Sequence, residues 1–588
     1  MNFRTHLLII ATWTLSLCLY QQPALAGDSV TVTVGSDGAC DFTSITAATF
    51  NAPDAESLTI RLAKNVSIVG IQLLDTRNTH IIGGYDTCSD ATPSGTSILD
   101  GSGFNGSIMI GGNSSITTID LFLENIEVTG GNTNTNGGGI SLQGPWRLVM
   151  AGTNINNNVA NGNGGGIYIE DLVAALDRGL PVPRSSIELY ENSIVSSNTA
   201  QDGGGIACAG NVRIEVYNSQ IGVNDANSDG GGVYLADGCE LELYDSGPFQ
   251  GVLLNEATGF GGGIFADVGS LVRLRGGSNN GDPAVVMSNS ATNGGGIALR
   301  SGAVLDARDS IISDNTANNT AGGIRSDGGE IHIYRSRPGD QCHSEQRCSQ
   351  LSNNTANGTD GSFAGGGGIL AVGGSIRITG TYIEDNRANF GSAIRARFIP
   401  LDGFDRNITI VGNVFATNEN APQVVYLDES DADMGFNTFV NNTGNDRIIE
   451  IAYPDTPLDA HEVRIFGSIF DQAGSTVPSA ELTTTGTFPV GDCNRNEPSS
   501  TGDLAGEPRS TTTAPAFVNA GAGDYRLSSG SAMVDYCDWS ILGSESNFSA
   551  NGLSRPNDVP EPNQFGAYDL GGIELHDPDF IFQDRFED

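Results

Sequence analysis

Between residues 130 and 400 the apolar positions recur in a fixed phrase. An aliphatic residue stands three places before an Asn-x-Ala motif, eight times over. The asparagines are Asn158, Asn198, Asn224, Asn255, Asn289, Asn315, Asn354 and Asn386; the aliphatics are Ile155, Val195, Ile221, Val252, Val286, Ile312, Leu351 and Ile383. A second aliphatic follows each unit, at Ile167, Ile206, Val233, Ile264, Ile297, Ile324, Ile369 and Ile394, usually behind two or three glycines. After it comes a stretch of strict alternation, with Leu148/Met150, Ile214/Val216, Leu241/Leu243, Val272/Leu274 and Leu305/Ala307 on one face. Alternation of period two predicts strands with one buried face. Each repeat therefore holds three short strands separated by turns.

One such repeat has too little apolar surface to bury alone. Stacking the repeats hides it, like residue over like, at about 4.8 Å per turn. The expected fold is all-β, a right-handed parallel β-helix (a solenoid) with N- and C-terminal caps; the hand follows from the preference of parallel crossovers. The glycines fit a turn that needs positive φ or close backbone approach. The repeated asparagine tolerates the left-handed region, and its amide is able to bond the coils on either side. Strand signals from residue 58 to 470 give roughly 13 or 14 coils, on the order of 65 Å of axis. The remaining boundaries are a signal peptide at 1–26, an N-terminal cap at 27–57, a loop-rich linker at 471–515, a last coil and cap at 516–575, and a tail at 576–588.

Export follows from the start of the chain. Arg4, an apolar run from Leu7 to Leu19 and the Ala24-Leu25-Ala26 cleavage site read as a secretory signal, so the mature chain is expected to begin at Gly27. No later segment approaches the apolar length of a spanning helix, so no transmembrane segment is expected in the mature chain. Removal of the signal takes Cys18 and leaves Cys40, Cys88, Cys208, Cys239, Cys342, Cys348, Cys493 and Cys537. An even count in an exported chain predicts disulfides. The pairings expected are Cys342–Cys348, within one loop, and the neighbours Cys40–Cys88, Cys208–Cys239 and Cys493–Cys537. Against 28 Lys+Arg stand 69 Asp+Glu, a net charge of −41. That excludes nucleic acid as a partner and argues against anionic lipid.

Candidate chemistry lies on the outward positions of the alternating strand. One column reads Val149, Glu188, Glu215, Glu242, Arg273 and Asp306; the next reads Ala151, Tyr190, Tyr217, Tyr244, Arg275 and Arg308. Three carboxylates stacked at strand spacing are expected to repel one another, raising pKa values or holding Ca²⁺ through Glu188, Glu215 and Glu242. Stacked tyrosines would offer flat faces to sugar rings. With Arg273 as the base, the set resembles that of polysaccharide lyases, β-helices with outward carboxylates for calcium and a basic residue for proton abstraction, and the resemblance implies a calcium-assisted lyase. The same columns also read as a solvated sheet face with the glutamates softened by Arg213 and water, and catalytic residues are then unassigned, with no cofactor. Inserts at 245–251, 275–284 and 335–350, the last carrying Arg335, Arg337, His343 and Arg347, form a further candidate surface, or simply tolerated insertions.

The paired aliphatic-x-x-Asn and Gly-Gly-Ile units resemble the FxxN and GGA[ILV] repeats of chlamydial-type polymorphic outer-membrane proteins, with Ile, Val or Leu replacing Phe. The resemblance implies a β-helical passenger at the cell surface, often adhesive. Those proteins end in a membrane β-barrel, which is not expected here after residue 400. Gly38-Ala39-Cys40-Asp41-Phe42 with Gly83-Gly84-Tyr85-Asp86 is similar to the N-terminal module of secreted bacterial β-helices. Ala514-Pro515-Ala516-Phe517-Val518, Asp524-Tyr525-Arg526-Leu527 and Phe565-Gly566-Ala567-Tyr568 resemble a choice-of-anchor Q segment. Phe580 to Glu587 resembles a short tail of exported Gram-negative proteins. The function expected is attachment at an outer cell surface or in the medium of a Gram-negative bacterium, to a surface glycan or protein receptor. The alternatives are the lyase and a structural envelope component.

Overall fold

The computed structural model describes residues 28–573, apart from 65–69, 74–76, 103, 114–116, 172–183, 245–249, 278–281, 336–348, 360–363, 398–407, 444–445, 453–462, 473–479, 483–489, 497–503, 505–506 and 538–567. The signal peptide, the Cys342–Cys348 pair, most of the insert loops and the tail lie outside the described residues.

The alternating apolar positions become strands of a parallel β-helix. Three long sheets run the length of the described chain, with 16, 14 and 13 strands, and all their pairings are parallel. We call them the first, second and third sheets. The first begins at Ser29–Val34 and ends at Val490–Asp492; the second runs from Ile71–Leu73 to Ala480–Leu482; the third from Ser97–Asp100 to Ile469–Asp471. A fourth set of eight very short strands, from Asn132–Thr133 to Thr355–Ala356, was not expected; seven of them lie on Asn-x-Ala motifs, whose turn is extended enough to pair with the next coil.

The register puts like over like. Ile167 pairs with Ile206, Ile206 with Val233, Val233 with Ile264, and Ile264 with Ile297. All five are fully buried, as are Ile214, Leu241, Val272 and Leu305 of the alternating strand. One aliphatic core cluster extends from Val32 to Leu504, and it is the main source of stability, since no coil buries its own apolar face.

Between the first aliphatic file and the glycine turn runs a ladder of buried asparagines. Asn255 is typical. Its Oδ1 accepts from the backbone N–H and Nδ2 of Asn224, both at 3.0 Å, and its own Nδ2 donates to Ile221 O and Asn289 Oδ1, each at 3.0 Å. The ladder runs from Asn158 through every motif asparagine to Asn418 and Asn442, beyond the repeats seen in the sequence. The expectation that these asparagines adopt the left-handed region is corrected. The residue before each one does so: Asn157, Ser197, Val223, Leu254, Ser288, Asp314, Asn353 and Asp385 all have φ between 53° and 60°. The asparagine is needed for its amide, and the strain falls on its neighbour.

The glycines split by role. Gly230 has φ of 66°, whereas Gly231 lies so close to the next coil that a Cβ would sit 2.3 Å from Gly262 O. The N-terminal end carries a short helix, Ile45–Asn51, whose Ser44 Oγ accepts from the Ala47 N–H at 3.1 Å and which buries Ile45 and Ala48 against the core. At the other end the chain doubles back. Gly571 N–H donates to Gly467 O at 2.7 Å and Gly572 N–H to Thr438 Oγ1 at 2.9 Å, while Ile573 and Tyr525 pack on Val414, Ala416 and Val440. This segment straps the outside of the third sheet. Disulfides join Cys40 to Cys88, Cys208 to Cys239 and Cys493 to Cys537. The second lies inside the solenoid, and the third ties the strap to the last coils.

Candidate functional site

The predicted columns form on the outer face of the first sheet. Val149 pairs with Glu188, Glu188 with Glu215, Glu215 with Glu242, Glu242 with Arg273 and Arg273 with Asp306. The carboxylates are not a bare stack. Arg147, one coil earlier, donates Nε to Glu188 Oε1 at 2.7 Å and Nη2 to Oε2 at 2.8 Å; Ser186 Oγ donates to Oε1 at 3.0 Å and Tyr190 OH to Oε2 at 3.2 Å. Arg213 lies 3.1 Å from Glu215 and also reaches Glu242 on the following coil. Arg273 donates Nη1 to Glu242 Oε1 at 2.9 Å and contacts Glu240, which Arg184 also engages. Arg275 closes the series on Asp306 at 2.5 Å.

The expected repulsion is therefore offset by arginines interleaved between the coils. All but one of the 28 Lys and Arg residues are arginine, Lys64 being the exception. The planar fork suits this role, because it satisfies two carboxylate oxygens at once or bridges two coils. Sequence reading anticipated Arg213 as a softening charge but missed Arg147, which sits two positions before the carboxylate column on a coil whose own column residue is Val149. Facing outward, Glu188, Glu240 and Glu242 still retain only 5–6% of their surface.

Arg273 is part of this network, not a free base above it. The three glutamates do not gather for calcium either: among the described residues, only Asp37, Cys40 and Cys88 bring potential ligand atoms within 4.8 Å of one another, and those cysteines are joined to each other. The tyrosine column stacks as expected, Tyr190 on Tyr217 at 4.9 Å and Tyr217 on Tyr244 at 4.2 Å, within 9° of parallel. The consequence for sugars is the reverse of the expectation, since each ring face between coils is taken by the next ring. Solvent meets edges and hydroxyls.

Burial nevertheless leaves several of these acids harder to ionise. It pushes Asp120 and Glu215 above the usual carboxylate range despite Arg147 and Arg213, and acts likewise on Asp171, Asp229 and Asp428. At Asp306 burial pushes the same way, but the hydrogen bond and charge of Arg275 outweigh it and hold the group low. A raised folded-state pKa means that stability is gained as pH falls through that value and is complete below the unfolded value of about 4. Asp306 works oppositely, losing its contribution only at lower pH. The raised group is larger, so the melting temperature is expected to rise between pH 7 and pH 5, read by calorimetry. A steady fall over that interval would contradict the assignment.

No protein-family model matches this chain, and no curated protein is significantly similar to it. No helix among the described residues is long and apolar enough to cross a membrane.

Proposed function

We propose that the chain is an exported, non-catalytic β-helix that works by attachment at an outer cell surface, to a surface glycan or a protein receptor. The observation that carries this reading is the self-neutralised outer face of the first sheet. Glu188, Glu215, Glu242 and Arg273, the residues a lyase would use, are paired with groups of the protein's own coils. Such a face supports rigid display over a long axis more readily than proton abstraction. The likeness of the repeat to polymorphic outer-membrane passengers supports a surface location, and the three disulfides support an oxidising compartment. The C-terminal strap, on the segment that resembles a choice-of-anchor Q domain, supports a role for that end in holding the solenoid at the envelope.

Two measurements test the reading. Fractionation of producing cells is expected to place the chain in the envelope or medium, and purified residues 27–588 are expected to bind cells saturably. Incubation with acidic polysaccharides and Ca²⁺ is expected to give no unsaturated product. Product that disappears in Arg273→Ala would overturn the non-catalytic reading, and a periplasmic protein would overturn the surface one.

A further inference from the structure

The tyrosine column of the first sheet carries a reactivity that its closed ring faces do not remove. Leu189 pairs with Val216 and Val216 with Leu243, so Tyr190, Tyr217 and Tyr244 follow in step on consecutive coils. Tyr217 and Tyr244 are the closer pair, with centroids 4.2 Å apart and planes 9° from parallel, against 4.9 Å for Tyr190 and Tyr217. The closer gap is near van der Waals contact between ring carbons. Parallel rings in step set each carbon ortho to a hydroxyl against its counterpart on the next coil. Those carbons flank the hydroxyl at the outer end of rings that are all partly exposed, where a small oxidant reaches them. Other tyrosine ring pairs among the described residues have phenylalanine as the partner: Tyr234 with Phe265, Tyr568 with Phe436 and Tyr525 with Phe517.

The hydroxyls of the closer pair lead to a base. Tyr217 OH donates to Tyr244 OH, and Tyr244 OH donates to Glu242. Tyr190 OH donates separately to Glu188 at 3.2 Å. Burial pushes the Tyr217 and Tyr244 phenols above their ordinary range, so both are protonated at neutral pH. A protonated phenol that gives up an electron must also give up its proton, and a hydrogen-bonded carboxylate is placed to accept it. Arg213 and Arg273 hold Glu242 as a carboxylate, so it passes the proton on to water.

We infer that Tyr217 and Tyr244 are a site of oxidative cross-linking, at which a one-electron oxidant joins the two rings into a dityrosine. Each ring gives one electron to the oxidant and its phenol proton, by way of Glu242, to water. The two radicals then share their unpaired electrons in one new carbon–carbon bond between facing ortho carbons. The hydrogens on those carbons move as protons to the phenolic oxygens, which restores both rings. The net loss per bridge is two electrons and two protons, and two equivalents of oxidant are reduced. The bond ties neighbouring coils on the outer face, as the disulfide between Cys208 and Cys239 does inside the solenoid. The inference stands apart from the attachment reading.

The experiment is photo-oxidation of purified residues 27–588 with ruthenium tris-bipyridine and persulfate. It is read by dityrosine fluorescence, and by mass spectrometry after cleavage at aspartate. Asp225, Asp229 and Asp237 lie between the two tyrosines, so their peptides separate unless the rings are joined. The expected product is a linked pair carrying Tyr217 and Tyr244, lighter by two hydrogens than its separate peptides, in protein that stays monomeric. The fluorescence is expected to be lost in Tyr217→Phe, which keeps the ring stack but leaves Tyr190 and Tyr244 two coils apart, and to be retained in Tyr168→Phe. Unchanged melting temperatures before oxidation show that both variants are folded. No dityrosine in the wild type, an undiminished signal in folded Tyr217→Phe, bridges that map to other tyrosines, or bridges found only between molecules would each overturn the inference.

Discussion

Asn255→Ala is expected to destabilise the solenoid by roughly 3–6 kcal/mol, far more than a surface polar change. The substitution removes four hydrogen bonds in a position that is 1% exposed. It leaves the backbone N–H of Asn224, one hydrogen of its amide and the carbonyl of Ile221 without this partner; the amide keeps only its bond to Val195 O. Each buried group left unsatisfied costs about 1–3 kcal/mol. Asn227→Ala provides the comparison. Its amide donates to Ala200 O at 3.1 Å from an exposed residue, and its loss is expected to cost about 1 kcal/mol or less. Guanidinium unfolding of both variants reads the difference, and near-equal midpoints would show that the ladder is incidental to stability.

Gly231→Ala is expected to be worse still in yield of folded protein. Its added Cβ would lie 2.3 Å from Gly262 O and 2.4 Å from Glu256 O. Both are backbone atoms of the next coil, fixed by their own ladder bonds, so relief requires moving a coil and not a rotamer. Overpacking of this kind costs about 3 kcal/mol or more, and here it propagates along the stack. Gly269→Ala separates this crowding from backbone conformation. Gly269 has φ of 73° but nothing within 4 Å of the added atom, so only the left-handed penalty of roughly 1–2 kcal/mol applies. Soluble yield and melting temperature are expected to rank wild type, Gly269→Ala, then Gly231→Ala. The reverse order would mean that the coils are not in close backbone contact at the glycines.

The solenoid was legible in the sequence because its signal repeats. Ile206, Val233 and Ile264 announce one another at a nearly constant interval, and the stacking that buries them is the only arrangement that uses all of them. The outward columns were legible for the same reason: strand alternation fixes which face Glu215 and Tyr217 share. What those columns do was not legible, because it depends on neighbours in a second column and on side-chain reach. Arg213 lies two residues from Glu215 yet also serves Glu242 a coil away, and no periodicity encodes that choice. The tyrosines were misread by treating each ring singly, when the 4.8 Å repeat that aligns them also closes their faces. The left-handed residue was assigned to the asparagine because asparagine tolerates it; Val223 and Leu254 hold that conformation instead, under the constraint of the coils around them. The C-terminal strap was hidden for another reason. Contacts such as Gly572 with Thr438 join segments more than a hundred residues apart, outside any repeat.

The account rests on coils that stack one strand spacing apart in a fixed register. Spin labels on the fourth strand set test this directly, since Thr199 and Thr316 are four coils apart and Thr199 and Thr443 eight. Pulsed electron spin distances of about 19 Å and about 38 Å are predicted, in the ratio of the coil count. Two distances that do not scale in that ratio would contradict it.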